Sequence, residues 1–343
     1  LKTIDPHQIR RLLVRSPNWI GDAVMATPAM GDIRATFPNA SVSVAASPVV
    51  AELFRSHPYC DDVLIIDRQG KHRGLRGRFR FARELARRDF DLAILLQNAF
   101  EAGALAYLAR IPARAGYAVD GRSLLLTHKV PADAAAKSIH QVEYYRHMVH
   151  RLGIEGGDGT LRLEIIDGER ASARERLGPG SFIALNPGAA YGAAKRWHPD
   201  RFARTADMLS LRYDARIVLV GGSGEMKIGR DIAAIASCAT LNLVGRTTIR
   251  ETMGILSLCR LIITNDSGPM HVAAALGVPI VALFGPTDPV ATAPRAEARR
   301  VIRRKVDCAP CRLRECPTDH RCMTAIDADA VVTAARELLE GAG

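Results

Sequence analysis

Aromatic side chains are scarce, 5% of the chain with two tryptophans in 343 residues. No basic stretch is interleaved with rings on which bases could stack, which argues against single-stranded nucleic acid as a partner. A continuous apolar span is missing too. Residues 267–287 hold no Asp, Glu, Lys or Arg and are long enough to cross a bilayer. Gly268, Pro269, Gly277, Pro279, Gly285 and Pro286 divide them into a short helix, a turn and a strand. The opening residues, LKTIDPHQIRR, are basic with no apolar run behind them, unlike a secretory leader. Acidic residues are in deficit, 36 Asp and Glu against 47 Lys and Arg, a net charge of +11. Such an excess bears on anionic partners and not on fold; nucleic acid, an anionic membrane face and a phosphorylated substrate all satisfy it. Seven cysteines, an odd number without a leader, point to free thiols in a reducing, cytoplasmic compartment.

What is present fits a globular chain of two domains, at roughly 150 residues each. Hydrophobic residues make up 48% and charged ones 24%. Short β-rich runs at 11–15, 41–46, 63–67 and 91–97 alternate with helical patterns at 21–36, 49–56 and 75–88. That alternation predicts βαβ units and a parallel sheet. A helix at 139–152 leads to GIEGGDGT, whose four glycines predict a loop and a domain boundary near residue 160. The pattern then restarts, with strands expected at 182–186, 216–220, 240–243, 261–264 and 280–284, a helix from Pro199, and an amphipathic helix at 328–339. Two doubly wound domains bind ligands at the carboxyl ends of their strands.

The loop SPNWIGD (16–22) runs from the first strand into a helix, placing Asp22 at the helix start. There the carboxylate either favours the positive end of the helix dipole or serves chemistry at the rim of a cleft. Asn18 and Trp19 share that loop. In NPGAAYGAAKRW (186–197), small residues permit close backbone approach and Lys195 adds charge near a helix start, the physics of a phosphate cradle without the P-loop pattern. Gly188 and Tyr191 belong to this loop. Glu225, in GGSGE, can hold ribose hydroxyls or cap a helix. In TNDSGPMH (264–271), Asp266 or Ser267 can N-cap a helix whose amides, at Gly268, face an anion, and His271 lies one turn on from Ser267. Cys308, Cys311, Cys316 and Cys322 lie within fifteen residues. Their spacings widen from two to four to five, which favours reduced thiols packed in an irregular loop over the paired spacings of zinc. From Arg68 to Arg88 nine cations face one acid, Glu84. Arg68, Lys71, Arg73, Arg76 and Arg78 are candidates for holding a polyanionic substrate; the plainer alternative is a solvated helix face.

Four segments, VRSPNWIGDAVMATPA (14–29), NPGAAYGAAKRWHP (186–199), TNDSGPMHVAAALGVPIVALFGPTDP (264–289) and CAPCRLRECPTDHRCM (308–323), together resemble the ADP-heptose:lipopolysaccharide heptosyltransferases, glycosyltransferase family nine, in particular those of type II. The resemblance implies an α/β fold of GT-B type, two Rossmann-like doubly wound domains facing a central cleft. Residues 1–160 would bind the acceptor, 161–325 the nucleotide sugar, and 326–343 would form a helix packing back on the first domain. It implies inverting transfer of L-glycero-D-manno-heptose from ADP-heptose to the inner core of lipopolysaccharide, with no metal or cofactor and with transient contact at the cytoplasmic face of the inner membrane. Asp22 matches the general base and Lys195 the residue at the donor phosphates. Gly188, Tyr191, Glu225, Asp266, Ser267, Gly268 and His271 fall to the donor, and Asn18, Trp19 and the basic segment to the acceptor. The alternatives are family members of type I or III, a GT-B enzyme using another nucleotide sugar, and a basic zinc-bearing protein that binds nucleic acid.

Overall fold

The computed structural model describes residues 4–341, with the side chains of Ala135 and Lys137 left aside. The chain divides into two compact units, Leu1–Glu164 and Ile165–Gly343. In the first, strands β1 (Arg11–Arg15), β2 (Ser41–Ala46), β3 (Asp62–Ile65), β4 (Leu92–Leu95), β5 (Ala113–Tyr117) and β6 (His128–Val130) form one sheet in the order β3-β2-β1-β4-β5-β6. In the second, β7 (Ser181–Asn186), β8 (Ala215–Leu219), β9 (Thr240–Asn242), β10 (Leu261–Asn265), β11 (Ile280–Phe284) and β12 (Arg299–Arg303) run β12-β11-β10-β7-β8-β9. Every pairing is parallel. Counted within its own unit, the second order is the first read from the other edge. Both are the doubly wound order, and each reverses between its two central strands.

Central strands read as continuous apolar runs because helices cover both faces of a parallel sheet. Leu12, Leu13 and Val14 are buried in register with Val42, Ser43 and Val44 on one side and Leu92, Ala93 and Ile94 on the other. One face of the first sheet packs Leu13, Ala93 and Leu95 against Phe81 and Leu85 of the helix Gly74–Ala86 and Leu105 of the helix Phe100–Leu108. In the second unit Ile183, Ile217, Ile263 and Leu283 meet Phe202 and Leu209 of the helix Pro199–Tyr213.

Three strands differ from expectation by being present at all. β5 reads ARAGY, β6 is three residues long and β12 is an arginine-rich edge, so none offers the β-branched run that marks a strand. The first helix divides into Ile20–Met25 and Thr27–Thr36. Pro28 sits in the first turn of the second piece, where a missing N–H does no harm, and the Thr27 hydroxyl donates to the Val24 carbonyl at 2.8 Å.

The glycine-rich stretch is no slack linker. The Gly157 N–H donates to Asp32 at 2.9 Å, and a Cβ there would lie 2.6 Å from the Asp32 nitrogen, so only glycine seats this close. Asp32 is wholly buried and also accepts from Arg146 and His150, each at 3.0 Å. These bonds tie residues 155–163 to the first unit and carry the division past residue 160, to Glu164.

The terminal helix, expected to pack back on the first half, takes part in the core of the second unit. Ala328–Glu340 is built into the second unit, with Val331, Val332, Ala335 and Leu338 buried beside the helix Pro199–Tyr213 and strands β10 to β12. Its apolar stripe demanded a partner, and the sheet of its own unit supplies one.

Candidate functional site

The reversal point of the second sheet lies between β7 and β10, and the loops leaving these two strands meet there. Asn186, the last residue of β7, donates through Nδ2 to Thr264 Oγ1 at 3.0 Å and to Ser267 Oγ at 2.7 Å. Asn265, the last residue of β10, donates to the Pro187 carbonyl at 2.8 Å and accepts from the Trp197 N–H at 3.1 Å. Two strand-end asparagines thus bind each other's loops. Between them the Lys195 ammonium reaches Asp266 Oδ2 at 2.6 Å, both side chains largely buried, and Thr287 donates to the same oxygen at 2.7 Å. The helix Gly268–Ala275 starts beside this pair and buries His271. Ser267 stands at the N-cap position without capping, because its hydroxyl is held by Asn186.

Glu225 is buried in the next loop and accepts from the Gly222 N–H at 2.8 Å, capping its own short turn. A Cβ on Gly188 would fall 2.0 Å from the Glu225 carboxyl carbon, so the carboxylate lies directly on the bare backbone of that loop. Lys195, Asp266, Ser267, Gly268, Gly188 and Glu225 are therefore gathered at one end of one sheet. Tyr191 stands at the same loop with the Lys195 ammonium 5.0 Å from its ring centre and the Arg314 guanidinium at 5.4 Å. Stacking of a cation on each is favourable.

Arg314 belongs to the cysteine-rich segment, which clamps the Lys195 loop. Ala194 donates its N–H to the Arg314 carbonyl at 2.9 Å, and the Tyr191 hydroxyl donates to the Arg312 carbonyl at 2.8 Å. The Arg312 N–H reaches the Pro286 carbonyl at 2.8 Å, and His320 Nε2 lies 2.7 Å from the Ala194 carbonyl. The thiols are free; Cys308 and Cys311 are exposed, Cys316 partly so, and Cys322 is buried. Burial, with the neighbouring thiols behind it, pushes Cys322 up to about 11. A hydrogen bond from Thr318 holds Cys316 below the ordinary thiol range. Among the described residues no three His, Cys, Asp or Glu side chains gather as a metal site.

In the first unit the reversal point lies between β1 and β4. Arg15 closes β1 as a buried charge, donating to the carbonyls of Ser16 and Ala45 and, at 2.8 Å, to Asn18 Oδ1. Burial, reinforced by Arg68, pushes its guanidinium down to about 9. Trp19 is exposed beside it and Asp22 is half-buried in the first turn of Ile20–Met25. Burial raises the hydroxyl of Tyr145 far above its usual range, and the nearby Asp22 charge adds to it. At the end of β4 a wholly buried Arg122 donates to the carbonyls of Tyr117 and Gln97 and to Asn98 Oδ1 at 2.9 Å, while Asn98 donates to the Tyr144 hydroxyl at 2.6 Å. Sequence reasoning missed both arginines. Arg15 had a signal, a charge ending an apolar strand; Arg122, between GYAVDG and SLLL, had none.

The basic segment is less bare than its composition. Glu101, from the helix Phe100–Leu108, takes Arg68 and Arg78, the latter at 3.1 Å. Glu84 takes Lys71 at 2.7 Å and Arg80 at 3.5 Å. Arg73 and Arg76 are exposed, without a carboxylate partner among the described residues. Of the five cations predicted to hold an acceptor, these two remain uncompensated.

A family model described as glycosyltransferase family 9 (heptosyltransferase) matches residues 78–321. The lipopolysaccharide heptosyltransferase 2 of Salmonella typhimurium is 29% identical over 307 residues, covering 85% of this chain and 88% of that protein. The lipooligosaccharide heptosyltransferase 2 of Campylobacter jejuni is 29% identical over 336 residues, with 96% and 98% covered. The solved E. coli ADP-heptose lipopolysaccharide heptosyltransferase II aligns with a TM-score of 0.83 at 27% identity, over 97% of this chain and 99% of that one. The two-unit α/β fold with parallel sheets resembles these GT-B structures.

Proposed function

Since the chain belongs to glycosyltransferase family 9, we propose that it is an inverting heptosyltransferase of type II, moving L-glycero-D-manno-heptose from ADP-heptose to the inner core of lipopolysaccharide. The observation that carries the donor half is the Lys195–Asp266 pair at the start of the helix Gly268–Ala275. An ammonium beside helix amides is a seat for a diphosphate. In this reading the incoming donor draws Lys195 away from Asp266, which keeps its bond from Thr287. Glu225 then meets the ribose, Gly188 and Tyr191 line the same loop, and His271 stands buried in the helix Gly268–Ala275.

The acceptor is assigned to the first unit, with Asn18, Trp19, Arg73 and Arg76 as its contacts and Arg68, Lys71 and Arg78 as a ring of cations already braced by carboxylates. An acceptor hydroxyl attacks the anomeric carbon from the face opposite ADP. The new C–O bond forms as the bond from that carbon to the phosphate oxygen breaks, and Asp22 takes the hydroxyl proton. Aspartate is ordinarily ionised near neutral pH and so can accept it. Negative charge grows on the departing ADP, where Lys195 and the Gly268 amide oppose it. No step is routed through a metal or a second carboxylate.

Asp22→Asn tests the assignment. Transfer is expected to fall by about 10²–10⁴-fold while ADP-heptose binding persists. Turnover near that of the parent would remove Asp22 from the role. Thermal shifts with ADP, ADP-heptose, UDP and UDP-sugars test the donor, since a ligand at 100 times its Kd adds about 2.7 kcal/mol. Stabilisation by UDP in place of ADP would replace this reading with the alternative GT-B one. Inner-core acceptors differing in heptose content separate types I, II and III.

A further inference from the structure

We propose that Arg314 is a second donor-binding cation, its guanidinium closing on the outer phosphate of the nucleotide sugar, the one that bears the heptose. The inference rests on the donor reading above and adds to it a residue from the cysteine-rich segment.

It starts from charge. A sugar nucleotide brings two phosphates, each negatively charged at neutral pH. Lys195 meets them already matched by Asp266 at 2.6 Å, and the buried Glu225 carboxylate adds a negative charge against the same loop. Arg196, the other cation of that loop, turns back on it, with Nη2 3.4 Å from the Ala189 carbonyl. The first turn of the helix Gly268–Ala275 supplies the equivalent of roughly half a positive charge. Together these groups fall short of a diphosphate.

Arg314 is in place to make up the difference. Its side chain is exposed and has no carboxylate partner among the described residues. Its guanidinium lies 5.4 Å from the centre of the Tyr191 ring, and the Lys195 ammonium lies 5.0 Å from the same centre. One ring thus keeps the two cations close. The ring is itself held, because the Tyr191 hydroxyl donates to the Arg312 carbonyl at 2.8 Å. So is the backbone of Arg314, whose carbonyl accepts from the N–H of Ala194, the residue before Lys195, at 2.9 Å. From there the side chain has only to leave the ring to meet whatever Lys195 meets.

Position along the loop decides which phosphate it takes. Glu225 lies against Gly188, near the start of the loop, and Arg314 against Gly192 and Ala194, toward its end. With the ribose at Glu225, the far end of the diphosphate falls to Arg314. A guanidinium can grip two oxygens of that phosphate in parallel, and it opposes the charge that grows there as the sugar leaves.

The test is titration of the full chain with ADP and with AMP, which lacks the outer phosphate. Arg314→Gln keeps the carbonyl that holds Ala194, so its melting temperature without ligand should match the parent's. Its Kd for ADP should rise at least about tenfold, while its Kd for AMP stays put. Arg314→Lys should recover part of the loss, being a point charge without the fork. Arg174→Gln, on the helix Asp167–Leu177, removes another exposed charge and should change neither constant. An Arg314→Gln variant that binds ADP like the parent overturns the proposal. So does one that loses AMP in equal measure, or an Arg174→Gln variant that loses as much ADP affinity. Lys195→Ala keeps the two readings apart. If it weakens ADP and Arg314→Gln does not, Arg314 alone is removed from the site; a parent that binds neither nucleotide overturns the donor reading and this one together.

Discussion

Lys195 and Asp266 answer each other's charge in a place where water answers little of it. Removing one partner of such a pair typically costs about 3–5 kcal/mol, because the other charge is left buried. Lys195→Ala is therefore expected to lose both ADP affinity and stability. Adding Asp266→Asn should restore part of the stability without restoring the affinity, and urea titrations beside ADP titrations separate the two. A double variant that loses the sum of the Lys195→Ala and Asp266→Asn losses would mean that the pair carries no coupling. The cysteines make a second residue-scale test. Thiolate is the reactive form, so Cys316, held below the ordinary thiol range and partly exposed, should alkylate at lower pH than its buried neighbours. Cys322, pushed to about 11, and Cys259, pushed to about 12, stay protonated near neutrality and should label only on unfolding. Peptide mass mapping over a pH series reads this directly; early labelling of Cys322 would refute its burial. Asp22, Lys195 and Glu225 were legible in the sequence because each follows a strand closely. The distant partners were not. Nothing local pairs Lys195 with Asp266, or Asp32 with Arg146, since those bonds join residues 71 and 114 positions apart.

Elements were legible in proportion to their burial. β1, β2 and β11 were read at their true limits, being apolar runs that only a covered strand explains. β6 and β12 escaped because a parallel edge gains its stability from pairing with one neighbour, and β5, paired on both sides, escaped because ARAGY holds no apolar run. The cysteine-rich segment escaped differently. Its thiols suggested metal or plain packing, yet its backbone is what grips the Lys195 loop, and backbone is silent in a sequence. Gly192 is the point of contact, with the Arg314 carbonyl oxygen 2.2 Å from where a Cβ would stand. Gly192→Ala must push that segment away. The expected result is a higher KM for the donor with acceptor KM unchanged and only a modest loss of melting temperature. A donor KM like the parent's would show that the grip does not position Lys195.

At the scale of the whole molecule, the repeated strand-and-helix alternation announced two doubly wound units, and both sheets have the same strand order. The destination of the last helix was not announced. An amphipathic stripe states that a partner exists, and every doubly wound sheet offers a fitting one. Because Val331, Ala335 and Leu338 lie in the core of the second unit, cutting the chain before residue 328 should unfold that unit. The core of the first is made from residues before 165. Limited proteolysis of the shortened chain is expected to leave a resistant fragment ending near Glu164. Loss of both halves at one rate would contradict separate cores.

That arrangement also sets a clock. Domains generally fold as units while the ribosome adds about 5–20 residues per second. The first unit has its whole core in hand when residue 164 has emerged, and it can fold while the rest is being made. The second has to wait for residues 328–340, so the sheet face that the last helix covers stays bare for nearly the whole time of that unit's synthesis. A ribosome that stalls in that interval releases a finished first unit tethered to a sticky, unfinished second one. Such a nascent chain is a natural client for chaperones and for the quality control of truncated proteins.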